Sequence, residues 1–534
     1  MTGDGSTPRG DGVARLTRPP CDEGDADPPG ALHTALVDAP IARGAARIDG
    51  AAAPRIDAIA KVTGAARYEG DGRMPGALHA ALVGAPIASG RVVRIDEAAA
   101  RTMPGVIAIM THASVPRIAS GRSPMLLQDT AVCFAGQPVA VVVAETVAQA
   151  RRAAAAVEVI CEASPAITAL HQALDRAYAP KSAGHVATDS RRGDPESARG
   201  DVAIERRYTT ATNNHHPLEP PCAIARWEGD ALLVHATTQA VFAHRRRLAE
   251  CFGVAVERVR VVSRLLGGGF GGKGSSWFPC MVLAALASRR VGRPVALELT
   301  RAEMFALVGR RQETVQDLRL TATARGQLVA IRHDTLAQTS VFADYADPTA
   351  TVSRVLHACP NVATSHRLVR VPAPQPNPMR APGESQGSFA LESALDELAH
   401  ELAIDPLDLR IRNLADRDQH AGLPWSSNNL RACYRVAAEA FGWQGRPARI
   451  GGLPDGRGWG MAAACYPVYR MASDAEVAID AAGRAVVRCG TQDLAPARRR
   501  SSRGSPPTRS ACRSCASRSA IPSSPKGRTP AART

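Results

Sequence analysis

Aromatic side chains are scarce in this 534-residue chain: Phe, Tyr and Trp make up 4% of it, against 45% for all hydrophobic residues. That supports a real core, but one filled by Ala, Val and Leu. Long apolar runs are absent too. No window reaches the roughly 18 uninterrupted apolar residues of a membrane-spanning helix, so none is expected. The opening Met1-Thr-Gly-Asp-Gly-Ser has no basic segment followed by an apolar one and no twin arginine, so no secretory signal is expected. Paired cysteines are lacking. The twelve Cys are scattered singly apart from Cys512-Arg-Ser-Cys515. One C-x-x-C without a second pair reads as chance composition ahead of a zinc site. No stretch has the four-Cys spacing of a plant-type iron–sulfur cluster. The pattern fits reduced thiols in the cytoplasm.

Acidic residues fail altogether in the last forty positions. Of the net charge of +15, residues 495–534 carry +10, and the other 494 residues only +5. A mildly basic body is a solvated surface, not a nucleic-acid footprint.

What is present is concentrated in Arg264-Leu-Leu-Gly-Gly-Gly-Phe-Gly-Gly-Lys-Gly-Ser-Ser276. The alternation of Val259 to Leu266 predicts a strand before it. The apolar run Trp277 to Ser288 predicts a helix after it. Glycines 267, 268, 269, 271 and 272 let the backbone adopt positive φ and approach a ligand closely. A helix N-terminus adds free N–H groups and a positive dipole end. The combination suits a bulky anionic or polar cofactor; a tight turn without a ligand is the alternative.

The length allows two to four domains. Residues 1–50 are rich in Gly, Asp, Pro, Arg and Ala without periodicity and read as a disordered arm. From 51 to 170 the pattern predicts a small α/β unit. Its strands are Val92–Asp96, Val106–Met110 and the near-continuous apolar run Gln137–Ala144. A helix capped by Thr146 and a strand over Val157–Cys161 complete a strand-helix-strand unit. Residues 171–200 read as a linker, and 201–418 as a larger domain. In it Asn214-His-His-Pro-Leu-Glu-Pro220 offers two His and a Glu, but its prolines break any shared metal-binding face, which favours a structural loop. A strand Leu232–Gln239, a helix Val241–Cys251 and a hairpin over Leu318–Thr339 are expected. So is an amphipathic helix with Leu391, Leu395, Leu398 and Leu402 on one face, stopping before Asp405-Pro406. A third unit, 419–494, is expected to hold a helix Leu430–Ala440 and strands Trp459–Tyr466 and Ala475–Asp480, the last pairing with Arg484–Arg488. After Leu494 there is no aromatic and one large aliphatic, Ile521. Residues 495–534 therefore read as a basic disordered tail.

Four motifs stand in one order: Ala58-Ile-Ala-Lys-Val-Thr-Gly-Ala-Ala-Arg-Tyr68, Phe134-Ala-Gly-Gln-Pro-Val-Ala140, Gly267-Gly-Gly-Phe-Gly-Gly-Lys273 and Pro378-Met-Arg-Ala-Pro-Gly-Glu384. Jointly they resemble the molybdenum-binding large subunit of the xanthine dehydrogenase/aldehyde oxidoreductase family, over roughly residues 54–494. The resemblance implies an α+β chain: an α/β hammerhead domain, then molybdopterin-binding domains, the second of them incomplete here. It implies hydroxylation of an aldehyde or heteroaromatic carbon with water-derived oxygen, and molybdenum held by the pterin dithiolene with no protein ligand. The cofactor would be of the cytosine dinucleotide form. Partner subunits would carry [2Fe-2S] clusters and FAD, and the complex would be cytoplasmic, reaching the periplasm only if carried by a partner.

By the same resemblance Gln239 stands near an apical molybdenum ligand. Gly268, Gly269, Phe270 and Gly271 pack over the cofactor, Arg380 places donors beside molybdenum and pterin, and Gln492 opens a further cofactor loop. Gln239 as a surface strand end and Arg380 as a structural loop donor are the plainer alternatives. Purine-oxidising relatives carry Glu after the loop lysine; Gly274 stands here, which favours an aldehyde. The family's C-terminal general-base Glu has no counterpart in this chain. With the change in composition after Leu494, that leads us to expect a truncated or frame-shifted, inactive polypeptide. A non-catalytic remnant that only binds partner subunits is one alternative. The other is a nucleotide-binding P-loop, since Gly267 to Lys273 fits its first seven places, but Gly274 fills the Ser/Thr place and no Walker B strand is found.

Overall fold

The computed structural model describes residues 58–72, 74–119, 126–274, 279–446 and 458–467, together with a few short strands nearer the ends. Its first part contains β1 (Leu78–Gly84), β2 (Gly90–Asp96), β3 (Val106–Thr111), β4 (Pro138–Ala144), α1 (Val147–Ala155) and β5 (Glu158–Ala163). Every residue of β4 is buried, which explains its unbroken apolar sequence. It lies between β1 and β3, antiparallel to both. Each fully buried Val contributes about 1.5–3 kcal/mol before ordering entropy is counted. The Gln149 amide donates to Thr146 Oγ1 at 3.2 Å and starts α1. The expected strand-helix-strand order is present, but β5 does not return to the sheet of β4. Both edges of β4 are taken, so β5 pairs antiparallel with β2 in a separate three-stranded sheet.

The next part runs β6 (Val202–Thr210), β7 (Cys222–Glu228), β8 (Ala231–Ala236), α2 (Val241–Phe252), β9 (Val259–Val262), α3 (Pro279–Val291) and β10 (Val295–Glu298). Strands β9, β8, β7 and β10 continue directly into β1, β4 and β3 as one seven-stranded sheet, through a parallel β10–β1 pairing. Helix α3 is buried from Pro279 to Ser288 and packs on β7 and β10. A helix apolar all round belongs in such a core.

Beyond it come β11 (Thr314–Ala322), β12 (Leu328–Ser340), β13 (Asn361–Val371), α4 (Glu384–Glu401), α5 (Pro406–Arg412) and α6 (Leu430–Phe441). The expected hairpin is β11–β12, and β13 joins parallel to β12 from Ala330↔Asn361 to Ser340↔Val371. Helix α4 covers β11 and β6 with Leu391, Leu395 and Leu398, all fully buried. Asp405 Oδ1 accepts the Leu407 amide at 2.8 Å and opens α5 with Pro406 in its first turn.

Two expectations are corrected. The stretch 171–200 is not a free linker. Ala173 and Ala183 are buried, the Tyr178 amide donates to Leu368 O at 3.0 Å, and Ser190–Arg192 pairs with the edge of β13. A three-residue edge strand needs no apolar alternation, so periodicity does not reveal it. Residues 459–466 form no strand. Ala463 N donates to Glu392 Oε2 at 2.9 Å and Met461 O accepts from Arg410 at 3.4 Å. Core side chains, not a neighbouring strand, occupy this backbone.

The hairpin Ala475–Ile479 with Ala485–Cys489 forms as expected. Within the two segments read as disordered, the described residues are the strands Ala14–Arg15 and Arg518–Ser519, which flank that hairpin. The rest of 1–50 and 495–534 lies outside the described residues. Among the described residues no helix is long and apolar enough to cross a membrane.

Candidate cofactor-binding site

Strands β8 and β9 are parallel neighbours, from Leu232↔Val259 to His235↔Val262, joined by the crossover helix α2. Their C-terminal ends therefore open on the same edge of the sheet. Gln239 follows β8, the glycine loop follows β9, and the topology brings them together. The Gln239 amide donates to Lys273 O at 2.9 Å, and the Gly271 amide donates to Gln239 Oε1 at 3.0 Å. Arg380 arrives from the Pro/Gly loop before α4: its amide donates to Phe270 O at 2.9 Å. Gln239, Gly268, Gly269, Phe270, Gly271 and Arg380 thus form one cluster. Gln492 lies outside the described residues.

The glycines are required, but partly for a different reason than expected. A Cβ on Gly271, whose φ is 104°, would lie 2.0 Å from Pro378 O. A Cβ on Gly269 would lie 2.3 Å from Gln239 Oε1. These glycines let the protein's own segments meet, whether or not a ligand approaches. Phe270 holds a left-handed backbone (φ 53°) with its ring exposed. Such a conformation is costly for an aromatic residue and persists only where the surroundings over-determine it.

The Arg380 loop is held from beneath by Arg311, a buried residue whose guanidinium donates to the carbonyls of Ala381, at 3.0 Å, and Arg380. Burial lowers the Arg311 pKa, while Asp347, Tyr345 and Glu384 nearby work against the shift. Burial pushes the Asp347 carboxyl up to about 6, although the Tyr345 hydroxyl donates to it at 2.6 Å.

The donor set fits a polar, anionic cofactor. Among the described residues the amides of Gly268, Gly269 and Phe270 find no acceptor. Arg380 is exposed, and its guanidinium has no protein partner among the described residues. Three successive free amides beside an uncommitted guanidinium form a cradle for phosphate or pterin oxygens. The same donors can stabilise negative charge developing on a substrate oxygen.

The P-loop alternative does not survive. A P-loop lysine reaches into the phosphate site, whereas Lys273 is fully buried and its Nζ donates to Glu219 O at 2.9 Å and Glu219 Oε2 at 3.1 Å. In the Asn214–Pro220 loop, His215 Nε2 lies 2.9 Å from Pro378 O, and His216 packs edge-on against Phe305. Both serve the loop architecture. Among the described residues no three His, Cys, Asp or Glu side chains gather to hold a metal ion.

Nothing in the local sequence announces that Glu219 pairs with Lys273 and Gly267, or that Arg311 supports the Arg380 loop. Glu219 stands in a stretch legible only as a turn, and nothing local to Arg311 marks it.

The description of the aldehyde oxidase and xanthine dehydrogenase a/b hammerhead domain matches residues 63–165. That of the molybdopterin cofactor-binding domain matches residues 178–414. The chain is 34% identical over 412 residues to the aldehyde oxidoreductase molybdenum-binding subunit PaoC of Escherichia coli (strain K12), covering 76% of this chain and 56% of that protein. It is 30% identical over 401 residues to the putative xanthine dehydrogenase molybdenum-binding subunit XdhA of the same strain, covering 70% and 53%. The chain therefore spans a little over half the length of these relatives. Among solved structures, the aldehyde oxidoreductase from Desulfovibrio gigas superposes with a TM-score of 0.65 at 26% identity, over 81% of this chain and 51% of that one. CO dehydrogenase from Oligotropha carboxidovorans shares the fold, with a TM-score of 0.71 at 23% identity over 84% and 63%. With both domain types matched in order and the loop, Gln239 and Arg380 assembled on one sheet edge, the chain belongs to the family of molybdenum-binding large subunits of xanthine dehydrogenases and aldehyde oxidoreductases.

Proposed function

We propose that this chain is the molybdopterin-binding subunit of an oxidoreductase that hydroxylates an aldehyde with water-derived oxygen. The observation that carries the reading is the convergence of Gln239, the glycine-loop amides and Arg380 on one edge of the sheet. The bound molybdenum cofactor supplies the two-electron oxidation of the substrate carbon. The chain's own part is to hold and orient. The amides of Gly268, Gly269 and Phe270 and the Arg380 guanidinium would hold the cofactor through its oxygens, and Gln239 fixes the loop that presents them. The cofactor is of the cytosine dinucleotide form, and electrons leave to iron–sulfur and FAD subunits in the cytoplasm.

An aldehyde is favoured over a purine because residue 274 is Gly and offers no side chain to a heterocycle. Relatives named as aldehyde oxidoreductases point the same way.

The test is molybdenum and pterin content of the chain purified from cells that make molybdopterin, followed by turnover, with iron–sulfur and FAD subunits supplied, in a version completed with the family's C-terminal general-base segment. The expected result is bound pterin in the unchanged chain, at least tenfold less in Arg380→Ala, and oxidation of benzaldehyde well ahead of hypoxanthine. A chain with pterin no higher than background would overturn the cofactor reading, and equal kcat/KM for the two substrates would overturn the aldehyde assignment.

A further inference from the structure

We propose that Glu219 and Lys273 are positioning residues that close the glycine loop into a ring and set its register on Gln239. The inference rests on the cofactor reading above for its consequence, not for its geometry. One carboxylate oxygen, Glu219 Oε2, accepts both the Gly267 amide at 2.7 Å and Lys273 Nζ at 3.1 Å. The first and last residues of the loop are thereby tied to a single atom. Lys273 Nζ also donates to Glu219 O at 2.9 Å. Lys273 O accepts the Gln239 amide at 2.9 Å, and Gln239 Oε1 accepts the Gly271 amide at 3.0 Å. Among the described residues, the hydrogen bonds that join Gly267–Lys273 to the sheet edge involve Lys273, Glu219 or Gln239, and the Arg380 amide is added on Phe270 O.

Lys273 cannot itself serve as a ligand donor, because its side chain is fully buried beneath the loop. Glu219 is equally committed. A Cβ on Gly267 would lie 2.4 Å from Glu219 Cβ, so the side chain fills the space directly under the loop entrance. Its second oxygen, Oε1, is buried with no hydrogen-bond partner among the described residues. Among the described residues the carboxylate's hydrogen-bond donors are Lys273 and the Gly267 amide. An ion pair this enclosed is sensitive to loss of either member, because the charge left behind has little water to turn to. Support of this kind, one layer behind the groups that meet a cofactor, sets how closely those groups hold their geometry.

The experiment uses the full chain and two readouts. Hydrogen exchange of the peptide spanning 267–274 is compared with that of helix α3 in the parent, Lys273→Met, Glu219→Ala and Glu219→Gln. Pterin content is measured on the same preparations. We expect Lys273→Met and Glu219→Ala to speed loop exchange at least tenfold while α3 stays as protected as in the parent, and pterin content to fall at least tenfold. Glu219→Gln keeps an oxygen that can accept from both Gly267 and Lys273, so it should restore most of the loop protection that Glu219→Ala loses. Unchanged loop exchange in Lys273→Met would overturn the proposal. So would equal loosening of the loop and α3, since that is general destabilisation, not positioning. If the parent itself holds no pterin, the cofactor reading fails while the exchange comparison still decides the positioning role.

Discussion

Arg410 anchors a buried ion network under helices α4 and α5. Its guanidinium is fully buried and donates to Glu392 Oε2 at 2.7 Å, Asp396 Oδ1 at 2.7 Å, Glu392 O at 2.9 Å and Pro406 O at 3.0 Å. Glu392, itself buried, also receives His357 Nε2 at 2.7 Å and the Ala463 amide at 2.9 Å. Burial pushes the Glu392 pKa up, but the hydrogen bond and charge of His357, with Arg410 behind them, outweigh it and hold the group below the usual range. Arg410→Met removes the one permanent cation and strands a buried carboxylate, which costs about 3–5 kcal/mol. Replacing both partners, as in Arg410→Met with Glu392→Met, removes the stranded charge. The double variant should then lose less than the sum of the single losses by about 1–3 kcal/mol. Urea unfolding followed by tryptophan fluorescence is well placed to read this. Trp443 and Trp459 pack at tilted and edge-on angles in one aromatic group with Phe441, next to the segment that Glu392 and Arg410 hold. Additive losses, or an Arg410→Met loss below about 1 kcal/mol, would show that this network is surrounded by enough water to make burial irrelevant.

Gly271→Val should unsettle the loop without any ligand present, because the new Cβ would meet Pro378 O at 2.0 Å at a φ of 104°; a loss of at least about 2 kcal/mol and faster exchange over 267–274 are expected. Gly274→Glu should fold normally, since a Cβ there meets nothing closer than Gln239 Cβ at 3.8 Å. Stability should stay within about 0.5 kcal/mol, and in an assembled enzyme completed with the family's C-terminal segment the kcat/KM ratio of hypoxanthine to benzaldehyde should rise at least tenfold; an unmoved ratio removes residue 274 from substrate choice. Acid should weaken the fold through His333 and His366, whose pKa values burial lowers from 6.5 to about 3 and about 4. Their stabilising neutrality is fully in place above the unfolded value and is lost as pH falls through this window, because the unfolded chain takes up the protons first, at about 1.4 kcal/mol per pH unit for each histidine. His333→Gln should flatten the fall in stability between pH 6 and 4 by about one proton.

The glycine loop and the Arg380 loop were legible because small residues and prolines at fixed spacing are rare and positional. The α4 face was legible because its leucines repeat at helical spacing. What could not be read is what depends on partners far away in sequence. Glu219 acquires meaning only when Lys273 lands on it, and Arg311 only when the carbonyls of Arg380 and Ala381 are brought above it. Residues 459–466 read as a strand, yet two of their backbone groups go to Glu392 and Arg410. At Gly271 the atom nearest a substituent is the protein's own Pro378 O, a neighbour more than a hundred residues away that local sequence does not reveal.

The seven-stranded sheet has a consequence in time. β1 finds β4 as its antiparallel neighbour some sixty residues later, but its other edge is filled only by β10, more than two hundred residues downstream. At ribosomal rates of about 5–20 residues per second, that edge stays open for roughly ten to forty seconds of synthesis. During that interval an apolar strand with unsatisfied amides and carbonyls is exposed to the cell, the state most prone to pairing with a wrong chain. The two domain types therefore cannot finish folding one after the other. The yield of native protein from a ribosome should depend on chaperone occupancy of the nascent hammerhead segment until Val295–Glu298 has emerged.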